Sequence, residues 1–95
     1  LALTKEKIIN EVFEKTDVPK AEARRMVESS LEIMKDAMES GDDLLISGFG
    51  KFTVKSKQQR RGRNPQTKED IVLPSRKVVV FKTSGVLRDR VNQDL

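Results

Sequence analysis

The 95-residue chain has no cysteine, no histidine and no tyrosine, and nowhere does it carry a long apolar run. Without thiols it forms no disulfide and no thiolate metal site, and a reducing compartment poses it no difficulty. Without imidazole, thiol or phenol the usual nucleophile–base pairs cannot be assembled. Carboxylates remain, but Asp42-Asp43 and Glu69-Asp70 are adjacent acids in expected turns, where solvation accounts for them. The expectation is a protein that is not an enzyme and holds no cofactor or metal. No stretch has signal-peptide or membrane-spanning length, so a soluble cytoplasmic chain with no membrane partner and no small-molecule substrate is expected.

What the chain has in plenty is charge, and the charge is segregated. Residues 1–43 hold 7 Lys and Arg against 11 Asp and Glu, whereas residues 44–95 hold 12 against 4. The net charge of +4 therefore averages an acidic first half and a strongly basic second half. Such a two-sided field points to a polyanionic partner for the basic part.

Periodicity gives the order of elements. Thr4 before Lys5-Glu6-Lys7 reads as a helix cap, and Ile8, Ile9, Val12 and Phe13 follow at helical spacing. Thr16-Asp17-Val18-Pro19 breaks the pattern, with Asp17 as the expected cap and Pro19 in the first turn of a second helix. That helix runs to about Ser40, with Ala23, Met26, Val27, Leu31, Met34, Ala37 and Met38 on one stripe and Gly41 as its stop. Ile33 widens the apolar face, which calls for cover from the domain's own sheet or from a second chain. Leu44 to Ile46 and Phe49 to Val54 read as strands about the Ser47-Gly48 turn. Phe52 and Val54 alternate with Lys51, Thr53, Lys55 and Lys57, giving one apolar and one positive face. Ile71 and Leu73 begin a return strand that Pro74 interrupts and Arg76 to Lys82 resumes. Ser84 caps a short last helix. The fold class is α+β: two N-terminal helices, a three-stranded antiparallel sheet with a long β-hairpin arm, and a short C-terminal helix. One domain over 1–95 is expected, with a helical dimerisation part at 1–43, the sheet at 44–83 (arm about 55–74) and the last helix at 84–95.

The arm carries the function. From Lys55 to Asp70 the only apolar side chain is the ring of Pro65, and six of those residues are Lys or Arg. A rigid ring beside Arg63 at the tip of a cationic arm is the combination with which minor-groove proteins wedge and kink a duplex. Phe49, Phe52 and Phe81 sit among strand apolar residues and read as core, which disfavours a single-strand or RNA binder needing exposed aromatics. A protein-interaction module gripping an acidic partner with its basic arms is the alternative from another class.

Ser47-Gly48-Phe49-Gly50-Lys51-Phe52, Gly62-Arg63-Asn64-Pro65-Gln66-Thr67, Val79-Val80-Phe81-Lys82 and Leu87-Arg88-Asp89-Arg90-Val91-Asn92 together resemble the bacterial HU and integration host factor family. Glu69-Asp70-Ile71 and Arg76-Lys77-Val78-Val79 look most like its alpha-subunit branch. The resemblance implies an intertwined dimer, either of identical chains or with a related beta subunit. It implies a nucleoid location and binding to double-stranded DNA, with roles in nucleoid organisation, recombination, replication and transcription. It also implies that Pro65 intercalates, with Arg63, Asn64, Gln66 and Lys68 beside it and Lys55, Lys57, Arg60 and Arg61 along the arm. Phosphate contacts are expected from Lys5, Ser47, Gly48, Arg76, Lys82 and Ser84. Two positions depart from the family pattern: Lys68 stands where the family commonly has Gly, and Thr83-Ser84 stand where it has Pro-Gly.

Overall fold

The computed structural model describes residues 1–93, in the order α1 (Lys5–Lys15), α2 (Lys20–Glu39), β1 (Leu44–Ile46), β2 (Gly50–Lys57), β3 (Arg60–Arg63), β4 (Asp70–Leu73), β5 (Arg76–Thr83) and α3 (Gly85–Val91). The α+β class and the element order agree with the reading of the sequence. Of the expected last helix, positions 94 and 95 lie outside the described residues. The chain divides into two compact units, Leu1–Ala37 and Met38–Leu95.

In the first unit the Thr4 hydroxyl accepts the Lys7 N–H and caps α1, as its position before a helical pattern requires. Thr16 ends the helix by donating both its N–H, at 3.0 Å, and its hydroxyl, at 2.6 Å, to the Val12 carbonyl. The start of α2 differs from expectation. Its first helical bond runs from the Ala23 N–H to the Pro19 carbonyl, so Pro19 rather than Asp17 occupies the cap position. Proline has no N–H to lose there, and the turn closes two residues later than an Asp17 cap would place it. Arg24 of α2 reaches Glu6 of α1 with a two-pronged ion pair, at 2.5 and 2.9 Å. The guanidinium hydrogen bond holds the Glu6 carboxyl below its ordinary value of 4.5. Among the described hydrophobic residues only Ile9 and Ala23 are fully buried. Ile8, Val12, Met26, Val27, Leu31 and Met34 line an open apolar groove of about 310 Å³ instead.

In the second unit β1, β2 and β5 form an antiparallel sheet with β2 in the middle. Leu44 and Phe81 both lie opposite Phe52, and Val79 lies opposite Val54, which gathers the apolar face. The Phe81 ring centroid is 4.6 Å from that of Phe52 and 5.3 Å from that of Phe49, with tilted planes. These rings cluster as expected, although Phe49 and Phe81 remain 43% and 40% exposed in the single chain. Gly50 is buried beneath them because a side chain there would strike the Lys82 carbonyl and the Phe81 ring.

The ladder from β2 to β5 stops at the Lys57–Arg76 pair and resumes as a separate two-stranded hairpin at Arg60–Leu73. Gln58 and Gln59 on one side and Pro74 and Ser75 on the other lie outside both ladders. Pro74, with no N–H, cannot continue the bonding pattern, and the break falls where its place in the sequence predicts.

Candidate nucleic-acid interface

The expected contact residues of the second unit fall into three groups. The first is the polar face of the sheet. Register puts Lys51 opposite Lys82, Lys55 opposite Val78 and Lys57 opposite Arg76, all on the face away from the phenylalanines. Lys51, which sequence reasoning did not name as a DNA contact, sits in this row directly across from Lys82. The alternation of lysines along the strand was the signal that could have found it. It is partly neutralised by Asp43, 3.5 Å away.

The second group lies at the end of the same sheet. The Phe49 N–H donates to the Ile46 carbonyl at 3.0 Å and closes the Ser47-Gly48 turn, with Gly48 left-handed at φ 76°. The Ser84 N–H donates to the Phe49 carbonyl at 2.9 Å, which draws the start of α3 alongside that turn. The Ser84 hydroxyl accepts the Leu87 N–H at 3.1 Å, so Thr83-Ser84 caps the helix without the family's Pro-Gly. Ser47, Gly48, Lys82 and Ser84 are thus neighbours. Lys5, by contrast, opens α1 in the other unit.

The third group is the distal hairpin. Arg60 pairs with Leu73, Arg61 with Val72, Gly62 with Ile71 and Arg63 with Asp70. Strand alternation therefore sends Arg61 and Arg63 to one face and Arg60 to the other. Ile71 and Leu73 side-chain carbons lie over the face of Gly62, 3.5 Å from where a Cβ would stand. Among the described residues, none of Lys55, Lys57, Arg60, Arg61, Arg63, Lys68, Arg76 and Lys82 forms an ion pair. Their charge remains available to an external anion.

The tip spans Asn64 to Glu69, and Asn64 organises it. Its Oδ1 accepts the N–H of Gln66 at 2.9 Å and that of Thr67 at 3.4 Å. Its carbonyl accepts the Lys68 N–H at 2.7 Å, and its own N–H donates to the Glu69 carbonyl at 2.9 Å. Lys68 is left-handed at φ 61°, the only described non-glycine residue with positive φ. A lysine there costs ~1–2 kcal/mol in the backbone, which the bonds on either side of it offset. Arg63 braces the same residue by donating its Nε–H to the Lys68 carbonyl at 3.2 Å. Pro65 is left exposed at the apex.

The model of the family described as "Bacterial DNA-binding protein" matches residues 3–92. The chain belongs to this family. It is 44% identical over 91 residues to the alpha subunit of integration host factor from Colwellia psychrerythraea, covering 96% of this chain and 94% of that one. Its structure is similar to that of Anabaena HU crystallised with DNA, at TM-score 0.78 and 33% identity, covering 93% of this chain and 96% of the other. An HU variant from Thermotoga maritima shares the fold at TM-score 0.66 and 24% identity, over 93% and 97% of the two chains. The family is thus the HU and integration host factor family that the motifs indicated, and its members are DNA-binding rather than catalytic proteins. Among the described residues no helix is long and apolar enough to cross a membrane.

Proposed function

We propose that this chain is an architectural protein that binds the minor groove of double-stranded DNA as a dimer and bends it, with Pro65 as the wedge at each arm tip. The observation that carries the proposal is the tip itself: an exposed proline ring on a closed loop, at the end of an arm whose cations are unpaired. Arg61, Arg63 and Arg60 flank the wedge on the two faces of the hairpin. Lys55, Lys57, Arg76 and Lys82 continue the positive surface along the sheet, while Ser47, Gly48, Ser84 and Lys5 supply further phosphate contacts. In this assignment one domain spans the chain, its helical part serves dimerisation, and its cellular place is the cytoplasmic nucleoid, in recombination, replication and transcription.

Dimerisation is supported by what the single chain leaves uncovered. Phe13 and Met26 in the first unit and Phe49, Val79 and Phe81 in the second are each at least 40% exposed. A core with two fully buried hydrophobic residues is too small to offset the conformational entropy of a chain this long, and a second copy or a related beta subunit would cover these faces.

The energetics are an exchange. Unstacking a base step costs a few kcal/mol, and bending a site of tens of base pairs costs ~1–6 kcal/mol. Phosphate contacts that only bent DNA can reach offset both. With about 6–10 phosphates neutralised, affinity should fall ~10³–10⁵-fold between about 50 and 200 mM salt. The test is end-to-end FRET on a labelled duplex, with binding measured across that salt range. Unchanged bending by Pro65→Ala would remove the wedge from the account, and a flat salt response would remove the electrostatics.

A further inference from the structure

We infer that Asn64 is the positioning residue of the wedge, acting through the backbone it caps rather than through a contact of its own with the duplex. This deepens the proposed function and rests on Pro65 being the intercalating group. Every backbone N–H between Asn64 and Glu69 is accounted for inside the tip. Asn64 donates to Glu69, while Gln66, Thr67 and Lys68 donate to the Asn64 side chain and carbonyl. Glu69 donates to the Thr67 hydroxyl at 3.4 Å, and Pro65 has no N–H to place.

The geometry is that of a single helical turn. Asn64 is at the cap, Pro65 at the first position and left-handed Lys68 at the stop. Both preferences are met by the Asn-Pro dipeptide, so the ring is held at the apex before any DNA arrives. Asn64 is itself only partly exposed, unlike the residues on either side of it, because its side chain turns inward to the loop. Were the cap removed, the Gln66 and Thr67 N–H groups would turn to water and the ring would sample other directions. Its insertion would then require ordering the loop at the moment of binding.

Two substitutions separate a capping oxygen from a DNA-reading amide. Asn64→Ser keeps a capping oxygen and removes the carboxamide, whereas Asn64→Ala removes both. In the free protein, amide exchange at Gln66 and Thr67 should quicken about five-fold in Asn64→Ala and return close to wild type in Asn64→Ser. On a duplex of about 30 base pairs, labelled at its ends and carrying 2-aminopurine, Asn64→Ala should lower bending and base unstacking at saturating protein. Asn64→Ser should restore both. If Asn64→Ser is as impaired as Asn64→Ala in bending while its amides stay protected, the side chain reads DNA directly and the inference is wrong. It is equally wrong if Asn64→Ala bends DNA normally while Pro65→Ala does not. Normal bending by Pro65→Ala would instead overturn the wedge reading, and this inference with it. Thermal unfolding of each variant confirms that the rest of the fold is intact.

Discussion

Replacing Gly50 by alanine should damage the sheet more than any other single methyl group added to a glycine of this chain. An ideal Cβ at that position lies 2.5 Å from the Lys82 carbonyl oxygen and 2.6 and 2.7 Å from two carbons of the Phe81 ring. The first contact falls roughly 1 Å inside an ordinary van der Waals separation. It is also with backbone, and the carbonyl belongs to a residue in the β2–β5 ladder, beside the Gly50–Thr83 pair. Relief by moving Phe81 is no easier, because that ring already lies against Phe49 and Phe52. The cost should therefore reach the upper end of overpacking effects, about 3 kcal/mol. For a domain of this size that corresponds to a fall in Tm of about 12–24 °C, read by circular dichroism at one fixed protein concentration. Gly62→Ala is the matched control. Its Cβ would meet Ile71 and Leu73 carbons at 3.5 Å, an ordinary contact, so its Tm should stay within a few degrees of wild type. A Gly50→Ala protein that melts with the wild type would show that β5 does not approach β2 this closely, and would refute the reasoning.

Lys68→Gly should relieve the left-handed backbone at the tip by ~1 kcal/mol, slowing amide exchange at Lys68 about five-fold; unchanged or faster exchange would contradict the strain. The Glu6–Arg24 pair should make stability depend on acid. Because the folded carboxyl titrates below its ordinary value of 4.5, its contribution is complete above that pH and disappears as pH falls through the lower folded value. The Tm gap between wild type and Glu6→Gln should accordingly be open at pH 7 and close toward pH 3. A gap independent of pH would mean that the ion pair contributes nothing.

Much of this molecule was decided by local pattern. The helical spacing of Ile8, Ile9, Val12 and Phe13, the alternation of Phe52 and Val54 with lysines, and the caps at Thr4 and Ser84 are interactions between near neighbours, so one-dimensional periodicity carries them. The cationic arm and its terminal proline are equally plain in the sequence, since a long polar stretch between two strands has few alternatives to a hairpin. The start of α2 was misplaced by two positions because a cap is defined by which carbonyl the first helical bond finds, and several residues before α2 could have served. Tertiary structure alone decided that Arg60, Arg61 and Arg63 stand across from Leu73, Val72 and Asp70, since the register of a hairpin depends on both strands and the turn between them. It also decided that Gly50 lies under Phe81, and that Glu6 meets Arg24 eighteen residues later. These contacts join residues far apart in the chain, and the packing that brings them together leaves no repeating signature along it.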